Sequence, residues 1–553
     1  MRSRHLIAAA ASAVLAGASL YLSAQEPPAD LILSNGRIIT VDDRFTVAEA
    51  VAIRGERIAL VGTAQDVARL AGPATRRIDL AGRAVIPGLI DNHMHLLRAG
   101  TTWQWEVRLD GVGSRAQALD LLRARGRSTP PGEWIYTLGG WAVEQFADDA
   151  RPFTRDELDR VAPRHPLLLQ ASYYQSFLNT AAMQALGLDD TRREPWLVRD
   201  AKGQPTGAIE EAGIRALAAR LPTANGDALE RSTRRMIRDM NRAGLTAFGS
   251  AGCEADVLPL YRRLAAQKQL DVRVFCITGA TAGSPEQVER ALLQIPQMQV
   301  RQGDAFIDHI AYGEGLYGPL HDPMFLKAST PAAADLAQWR RMATEIAKAG
   351  LPLHVHANLT GTLDAFLDQI EGVHRAHPID GLRWTLAHVN QINASHLARM
   401  KQLNLQAAVH PWAIINGGIN RSVFGAGAAD MPPLRTIQES GVVWGLGSDG
   451  SRANQILPFT TLWWAVTGKM VGGTTVLRQT IDRKDALVAH TRQNARLVFR
   501  EREIGSIEPG KLADLVVLNK DYFTVPEVEI KQIRSVMTVV NGRIVHDAGI
   551  AKK

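Results

Sequence analysis

The sequence predicts an α/β chain: a TIM-type βα barrel carrying a small β-sandwich domain assembled from both chain ends. Three observations lead there. Through the middle of the chain, apolar β-like runs alternate with amphipathic helical stretches such as Leu229–Ala243 and Ala333–Ala349, an alternation that implies parallel βα units. Both ends of the chain instead carry short β-rich runs broken by Gly-containing turns. Between these textures, ligand-type side chains recur at the ends of apolar runs, where barrels of this kind place their catalytic groups.

Size and composition agree with that reading. A chain of 553 residues has the length of three or four average domains, yet one α/β barrel often takes ~250 residues or more. Hydrophobic residues make up 46% and charged residues 22%, values of a globular protein that exclude disorder. The one long apolar run is N-terminal, which excludes a polytopic membrane protein. The 63 Lys and Arg against 56 Asp and Glu leave a net charge of +7. That excess is spread along the chain, so it reads as a solvated surface and no nucleic-acid partner is expected.

Residues 1–24 read as an export signal. Arg2 and Arg4 precede the apolar stretch Leu6–Leu20, and small residues follow, the order of a secretory leader. Cleavage is expected after Ala24, with Ala18 as the other small-residue site. An uncleaved inner-membrane helix is the rival, since the run is barely of spanning length. The expectation is a periplasmic or secreted protein with no stable membrane association once the leader is removed. Two cysteines, Cys253 and Cys276, are too few for a disulfide scaffold. Adjacent parallel strands would bring them together, but buried free thiols are the expected state.

The ends of the mature chain build the β domain, from residues 29–86 and 504–550. Leu31-Ile32-Leu33 leads through Ser34-Asn35-Gly36-Arg37 into Ile38-Ile39-Thr40, and Val51–Leu60 repeats the texture. It returns in Leu512–Leu518 and Val536–Val545. Residues 87–503 form the barrel, with an insertion at roughly 101–240.

The chemistry is concentrated at strand ends. In Val85-Ile86-Pro87-Gly88-Leu89-Ile90-Asp91-Asn92-His93-Met94-His95, positions i and i+2 of a strand face one side, so His93 and His95 point together into a barrel mouth. Imidazoles are typical ligands of zinc and similar ions. A lone His-x-His is weak evidence, but the placement recurs. Leu351–Asn358 ends a strand in His356, Arg383–Asn390 in His388, and Val442–Gly450 in Asp449.

The order His-x-His, His, His, Asp resembles the amidohydrolase superfamily, and in particular the amidohydrolase-3 group of N-substituted formamide deformylase-like hydrolases. The resemblance spans nearly the whole mature chain. It includes Gly132–Ile135, Gly139-Gly140-Trp141, His165 through Asn179 and Ala182, and the C-terminal Ile504-Gly505-Ser506-Ile507-Glu508-Pro509-Gly510-Lys511-Leu512-Ala513-Asp514-Leu515-Val516-Val517-Leu518. It implies a distorted (β/α)8 barrel in which His93, His95, His356, His388 and Asp449 hold a divalent metal, zinc in the first instance, as one or two ions. Asp449 would also take the proton of an activated water. Metal binding brings the pKa of that water toward ~7, and a neighbouring carboxylate then passes its proton to the leaving nitrogen.

The sequence departs from the group's pattern in places. Many relatives carry a carboxylated lysine at the end of the fourth strand. Here Gly303–Glu314 fills that region without a lysine, and Glu314 is either a bridging carboxylate or a glutamate facing substrate or solvent. His354, which shares strand parity with His356, reads as a core or supporting histidine, His410 as a candidate for the pocket wall, and His309 and His321 as structural or loop residues. Gln175 stands where relatives often have histidine. Trp103, Trp105, Trp141, Tyr173 and Tyr174 hint at a bulky or aromatic substrate. The expected function is metal-dependent hydrolysis of a non-peptide C–N bond, amide or N-acyl, in a small molecule. The alternatives are an ester, lactone or carbamate and, in another class, a non-catalytic binding protein. A homo-oligomer is compatible with the sequence.

Overall fold

The computed structural model describes residues 27–188, 194–325 and 328–551, so the expected leader lies outside the described residues. Eight parallel strands form a barrel: β1 (Leu89–Met94), β2 (Leu245–Ala251), β3 (Arg273–Ile277), β4 (Ile307–Glu314), β5 (Leu353–Ala357), β6 (Thr385–His388), β7 (Gln406–Val409) and β8 (Val443–Leu446). Each pairs in parallel with the next in chain order. Most strand residues are buried on both faces, which is why these runs read as continuously apolar and not as alternating. The helices expected near Leu229–Ala243 and Ala333–Ala349 run over Gly226–Ala243 and Ala333–Lys348.

The sheet is not laddered between its first and last strands. A side chain closes that seam. Asn494, in the helix Arg492–Leu497, donates through Nδ2 to the carbonyl of Ile90 on β1 and, at 2.7 Å, to that of Leu446 on β8. Its Oδ1 accepts from Asn92 Nδ2 at 2.8 Å. Gly445 on β8 leaves the room: a Cβ there would run into Asn494 Oδ1. Just past the strand ends, the Asp449 N–H donates to the His93 carbonyl at 3.0 Å.

Both chain ends meet in two further sheets. One has the order 57–62, 50–54, 29–34, 71–79; the other runs 543–547, 535–540, 515–518, 84–87, 37–39, 47–48. Their facing sides share one apolar cluster that includes Leu31, Ile53, Val85, Leu515, Val517 and Val539. The alternate residues Ile86, Val516 and Leu518 face the barrel core. Period-2 side-chain direction thus lets single strands bury two faces against two different partners. Pro87-Gly88 is where the chain passes from the 84–87 strand into β1, and a Cβ at Gly88 would collide with Thr246. The C-terminal sequence signature has a mechanical role here. Asp514 receives Arg273 of β3 in a bidentate pair at 2.7 and 2.8 Å, with both side chains almost fully buried.

Between β1 and β2 the chain adds a five-stranded sheet, in the order 197–199, 205–210, 175–178, 167–171, 135–138. Trp141 belongs to a core of its own with Phe146, Phe153 and Phe177. Among the described residues, no helix is long and apolar enough to cross a membrane.

One expectation is corrected. Cys253 and Cys276 are not free thiols but a disulfide, with Cα atoms 5.7 Å apart. The reason is local: β2 and β3 pair with Ser250 opposite Cys276, and past β2 the chain folds back so that the Gly252 N–H donates to the Ile277 carbonyl. That return carries Cys253 over its neighbour strand.

If Asn494 closes the barrel, Asn494→Ala strands the Ile90 and Leu446 carbonyls and the Asn92 amide. The expected loss is roughly 3 kcal/mol of stability, read as a lower urea midpoint at unchanged m-value. An unaltered midpoint would show that the seam holds without it.

Candidate active site

The C-terminal ends of the barrel strands gather the predicted residues into one cluster. His93 and His95 come from the end of β1, Glu314 from β4, His356 from β5, His388 from the tip of β6 and Asp449 from the turn after β8. Glu314 lies at the centre. Its Oε2 is 3.5 Å from His93 Nε2 and 3.6 Å from His95 Nε2. Its Oε1 is 3.3 Å from both His356 Nδ1 and His388 Nε2. Asp449 Oδ1 closes the first side, 3.2 Å from His95 Nε2 and 3.8 Å from His93 Nε2. One carboxylate therefore faces two histidine pairs with its two oxygens.

The remaining ring nitrogens are tied outward. His93 Nδ1 meets His354 Nε2 at 2.9 Å, which places His354 behind His93 as a supporting histidine. His356 Nε2 donates to Asp322, 2.7 Å from its carboxylate and 2.8 Å from its carbonyl. For His388 the proton position is forced by a relay. Asn494 Nδ2 is committed to two carbonyls, so its Oδ1 must accept from Asn92 Nδ2. Asn92 Oδ1 then accepts from His410 Nε2 at 3.0 Å. His410 Nδ1 is left to accept from His388 Nδ1–H at 2.7 Å, which leaves the His388 Nε2 lone pair facing Glu314. Trp412 Nε1 donates to Asp449 Oδ2 at 2.8 Å.

Charge is balanced at close range. Burial works to raise the Glu314 pKa, but the field of His93 and the close approach of His356 and His388 hold the carboxyl well below its usual range. Asp449 is likewise opposed by burial and held low by His95, His388 and His93. His356 is pushed up to about 10: burial lowers it, and the hydrogen bonds to Asp322 and Glu314 outweigh that. His388 is brought down to about 4 by burial and the field of His356. Two positions hold backbone strain: His388 has φ 73° and Asp449 φ 60°, left-handed conformations that cost about 1–2 kcal/mol each without a glycine.

This donor set fits a divalent cation. His93 Nε2 is fully buried with no hydrogen-bond partner, and it points at two carboxylate oxygens. Three triads have donor atoms mutually within 4.8 Å: His93, His95 and Asp449; His93, Glu314 and His388; Glu314, His321 and His356. Neutral imidazole and carboxylate are the usual ligands of such ions; His93 and His388 are backed by His354 and His410, and His356 by Asp322, a carboxylate of the kind that orients metal-bound imidazole.

The cluster opens into a cavity of about 610 Å³. Tyr173, Tyr174 and Phe325 supply aromatic wall, and Ile214 and Ala218 come from the helix Glu211–Ala218 of the insertion. Trp103 and Trp141 do not reach it; both are buried in apolar clusters. Trp105 borders a separate surface cavity with Trp134, so the aromatic hint holds only for the two tyrosines. His410 lies one layer behind the wall, and His309 lines yet another surface cavity. His321, read from sequence as a loop residue, stacks on His356 at 3.8 Å between ring centroids and lines the site. Gln175 is in the insertion sheet and is not among the cavity-lining residues. Sequence reasoning passed over Trp412, Asp322, Asn92, Asn494, Arg98 and Arg452. Arg98 and Arg452 each stand three residues after a site residue, a spacing that flags them in retrospect.

Comparison with known proteins agrees with this geometry. The model of the amidohydrolase family matches residues 76–546. The chain is 28% identical over 545 residues to the N-substituted formamide deformylase of Arthrobacter pascens, across 93% of this chain and 97% of that protein. Among solved structures it is similar to an uncharacterized metal-dependent hydrolase from Pyrococcus horikoshii, with TM-score 0.62, 21% identity, and 90% and 99% of the two chains covered. It is also similar to an adenosine deaminase from Xanthomonas campestris with bound zinc, with TM-score 0.53, 15% identity and 94% of each chain covered. At those identities the structural likeness is one of fold.

Breaking the relay should loosen the ion without touching a ligand. His410→Phe preserves volume but removes the acceptor that fixes the His388 tautomer. Zinc affinity, measured by competition with a chromophoric chelator, is expected to fall about 10- to 100-fold. Affinity equal to that of the parent would mean the relay does not orient His388.

Proposed function

This chain belongs to the amidohydrolase family, and on that premise we propose that it is a metal-dependent hydrolase cleaving a non-peptide C–N bond, amide or N-acyl, of a small molecule. The observation that carries the proposal is Glu314 with one oxygen toward His93 and His95 and the other toward His356 and His388. Glu314, together with the two histidine pairs and Asp449, would hold one or two divalent cations. Zinc is the ion proposed, since the donors are mainly imidazole.

A divalent cation bound there lowers the pKa of water and polarises an acyl oxygen. The chain's own residues do the rest. Asp449 Oδ1 borders the first pair of histidines and accepts a proton from the attacking water, while Trp412 holds Oδ2 and so fixes which oxygen faces the reaction. Water oxygen bonds to the acyl carbon, the C–N bond breaks, and Asp449 returns the proton to the departing nitrogen, giving a carboxylic acid and an amine. The aromatic residues above the cluster exclude bulk water, which strengthens each electrostatic contact inside.

The reading is tested by metal content and turnover together. The double variant His93→Ala/His95→Ala is expected to lose both bound zinc and turnover on a panel of formamides, aryl amides, N-acyl amino acids and lactones. Asp449→Asn is expected to keep most of its zinc and lose turnover by ~100-fold or more. Full activity in Asp449→Asn would overturn the proton-transfer role, and a lactone preference would move the bond from C–N to C–O.

We also propose that the protein acts outside the cytoplasm. The charged, apolar and small-residue order of 1–24 supports this, as does the Cys253–Cys276 disulfide, a bond that persists in oxidising compartments. The mature chain recovered from a bacterial host should start at Gln25, fractionate with the periplasm and offer no free thiol to a labelling reagent before reduction. Two reactive thiols, or recovery in the cytoplasmic fraction, would refute export, and an intact leader in the membrane fraction would refute its cleavage.

A further inference from the structure

Three arginines line the cavity and the catalytic reading uses none of them: Arg215 is exposed on the insertion helix, while Arg98 and Arg452 are half-buried. Arg98 follows His95 by three residues, Arg452 follows Asp449 by three, and both line the cavity beside Tyr173. Arg98 Nη2 donates to the Tyr173 hydroxyl at 3.2 Å. Its Nε is buried without a hydrogen-bond partner. Arg452 makes no side-chain hydrogen bond or ion pair among the described residues. The nearest acid whose field reaches it, Glu106, is already held by Arg108 at 2.8 Å and by Thr102 at 2.6 Å. The other carboxylates lining the cavity are also committed: Glu314 and Asp449 to histidines, Asp322 to His356. Glu211 is exposed at the rim on the insertion helix.

Two guanidiniums facing one cavity without an acid between them are costly. Burial and the field of Arg98 lower the Arg452 pKa below the ordinary guanidinium value. An unpaired cation partly withdrawn from bulk water is disfavoured unless an anion completes it. Nothing in the fold requires either side chain to remain there, since neither bridges two elements by an ion pair. The group that relieves this arrangement is flat, anionic and able to accept two parallel N–H bonds, which describes a carboxylate.

We propose that Arg98 and Arg452, with the Tyr173 hydroxyl, form a carboxylate-binding subsite, so that the substrate is a small acyl compound carrying a carboxylate in addition to the bond that is cleaved. This rests on the hydrolase reading of the neighbouring cluster. It assigns the arginines to selection and leaves bond cleavage to the histidine–carboxylate cluster. Both subsites share one cavity, and each arginine is joined to its site residue by one turn of chain, so the carboxylate is held at a fixed offset from the scissile bond.

The test uses the full mature chain loaded with zinc and two matched amides, N-acetylphenylalanine and N-acetylphenylalaninamide, which differ in a carboxylate against a carboxamide. The parent is expected to favour the carboxylate in kcat/KM, and Arg452→Met to cut that preference about 10- to 100-fold, mainly through KM. Arg452→Lys should restore part of it, which a merely structural loss would not allow. Equal rates on both amides in the parent, or an equal fall on both in Arg452→Met, would overturn the subsite. If neither amide is cleaved, the hydrolase reading is what has failed on these compounds. Calorimetric titration with phenylacetate and phenylacetamide then decides the subsite alone: selective phenylacetate binding that Arg452→Met weakens supports it, and no selectivity overturns it.

Discussion

The architecture depends on how the barrel closes between β1 and β8. Seven of its eight strand junctions are ladders of backbone hydrogen bonds, and the eighth is made by the amide of Asn494. That junction sets His93 and His95 against Asp449, because the first two end β1 and the third follows β8. The same amide also starts the relay through Asn92 and His410 that decides which nitrogen of His388 is free. Closure and site chemistry are therefore one constraint. Two backbone carbonyls of the barrel wall dictate a proton position in the site several residues away.

Once the barrel is closed, the electrostatics follow from crowding. Asp449 is buried and Glu314 half-buried among four imidazoles, where an uncompensated carboxylate would be disfavoured. Each is compensated by histidine at 3.2–3.6 Å. The histidines in turn are fixed by partners outside the cluster, so the rings cannot rotate away to solvate the charge. Left-handed backbone at His388 and Asp449 adds strain, which the surrounding hydrogen bonds hold in place: Val389 N–H to the Ala357 carbonyl and Asp449 N–H to the His93 carbonyl. Strain and close-packed donors concentrated at one place suit a ligand of positive charge.

Much of this was legible in the sequence because it is periodic or terminal. Strand ends can be read from apolar runs that stop at a polar residue, and parity placed His93 with His95 on one face. His354 shares a face with His356 and supports the cluster, as parity suggests, but the ring it meets is His93, a neighbour set by barrel curvature that no single strand encodes. The disulfide escaped for a related reason: Cys253 lies outside β2, and the turn that returns it over β3 leaves no periodic trace. Trp103, Trp105 and Trp141 misled because an indole fills a core as readily as a pocket. Asn494 was invisible, being an ordinary helix residue some 400 positions from its main partner.

Cleavage and selection are divided between parts of the chain that differ in how freely they can vary. The groups that hold charge sit on barrel strands whose both faces are buried, where a change of volume is felt throughout the core. The rest of the cavity wall comes from the segment His321–Phe325 and from the insertion helix Glu211–Ala218, whose positions 211, 214, 215 and 218 form one face toward the cavity. Arg98 and Arg452 stand between these classes, on short segments directly after β1 and β8. Their backbone is fixed by the seam while their side chains are free of the core. A charged determinant placed there gains the precision of the barrel without burdening its packing, and that position gives an anionic group on the substrate a defined distance to the bond being broken.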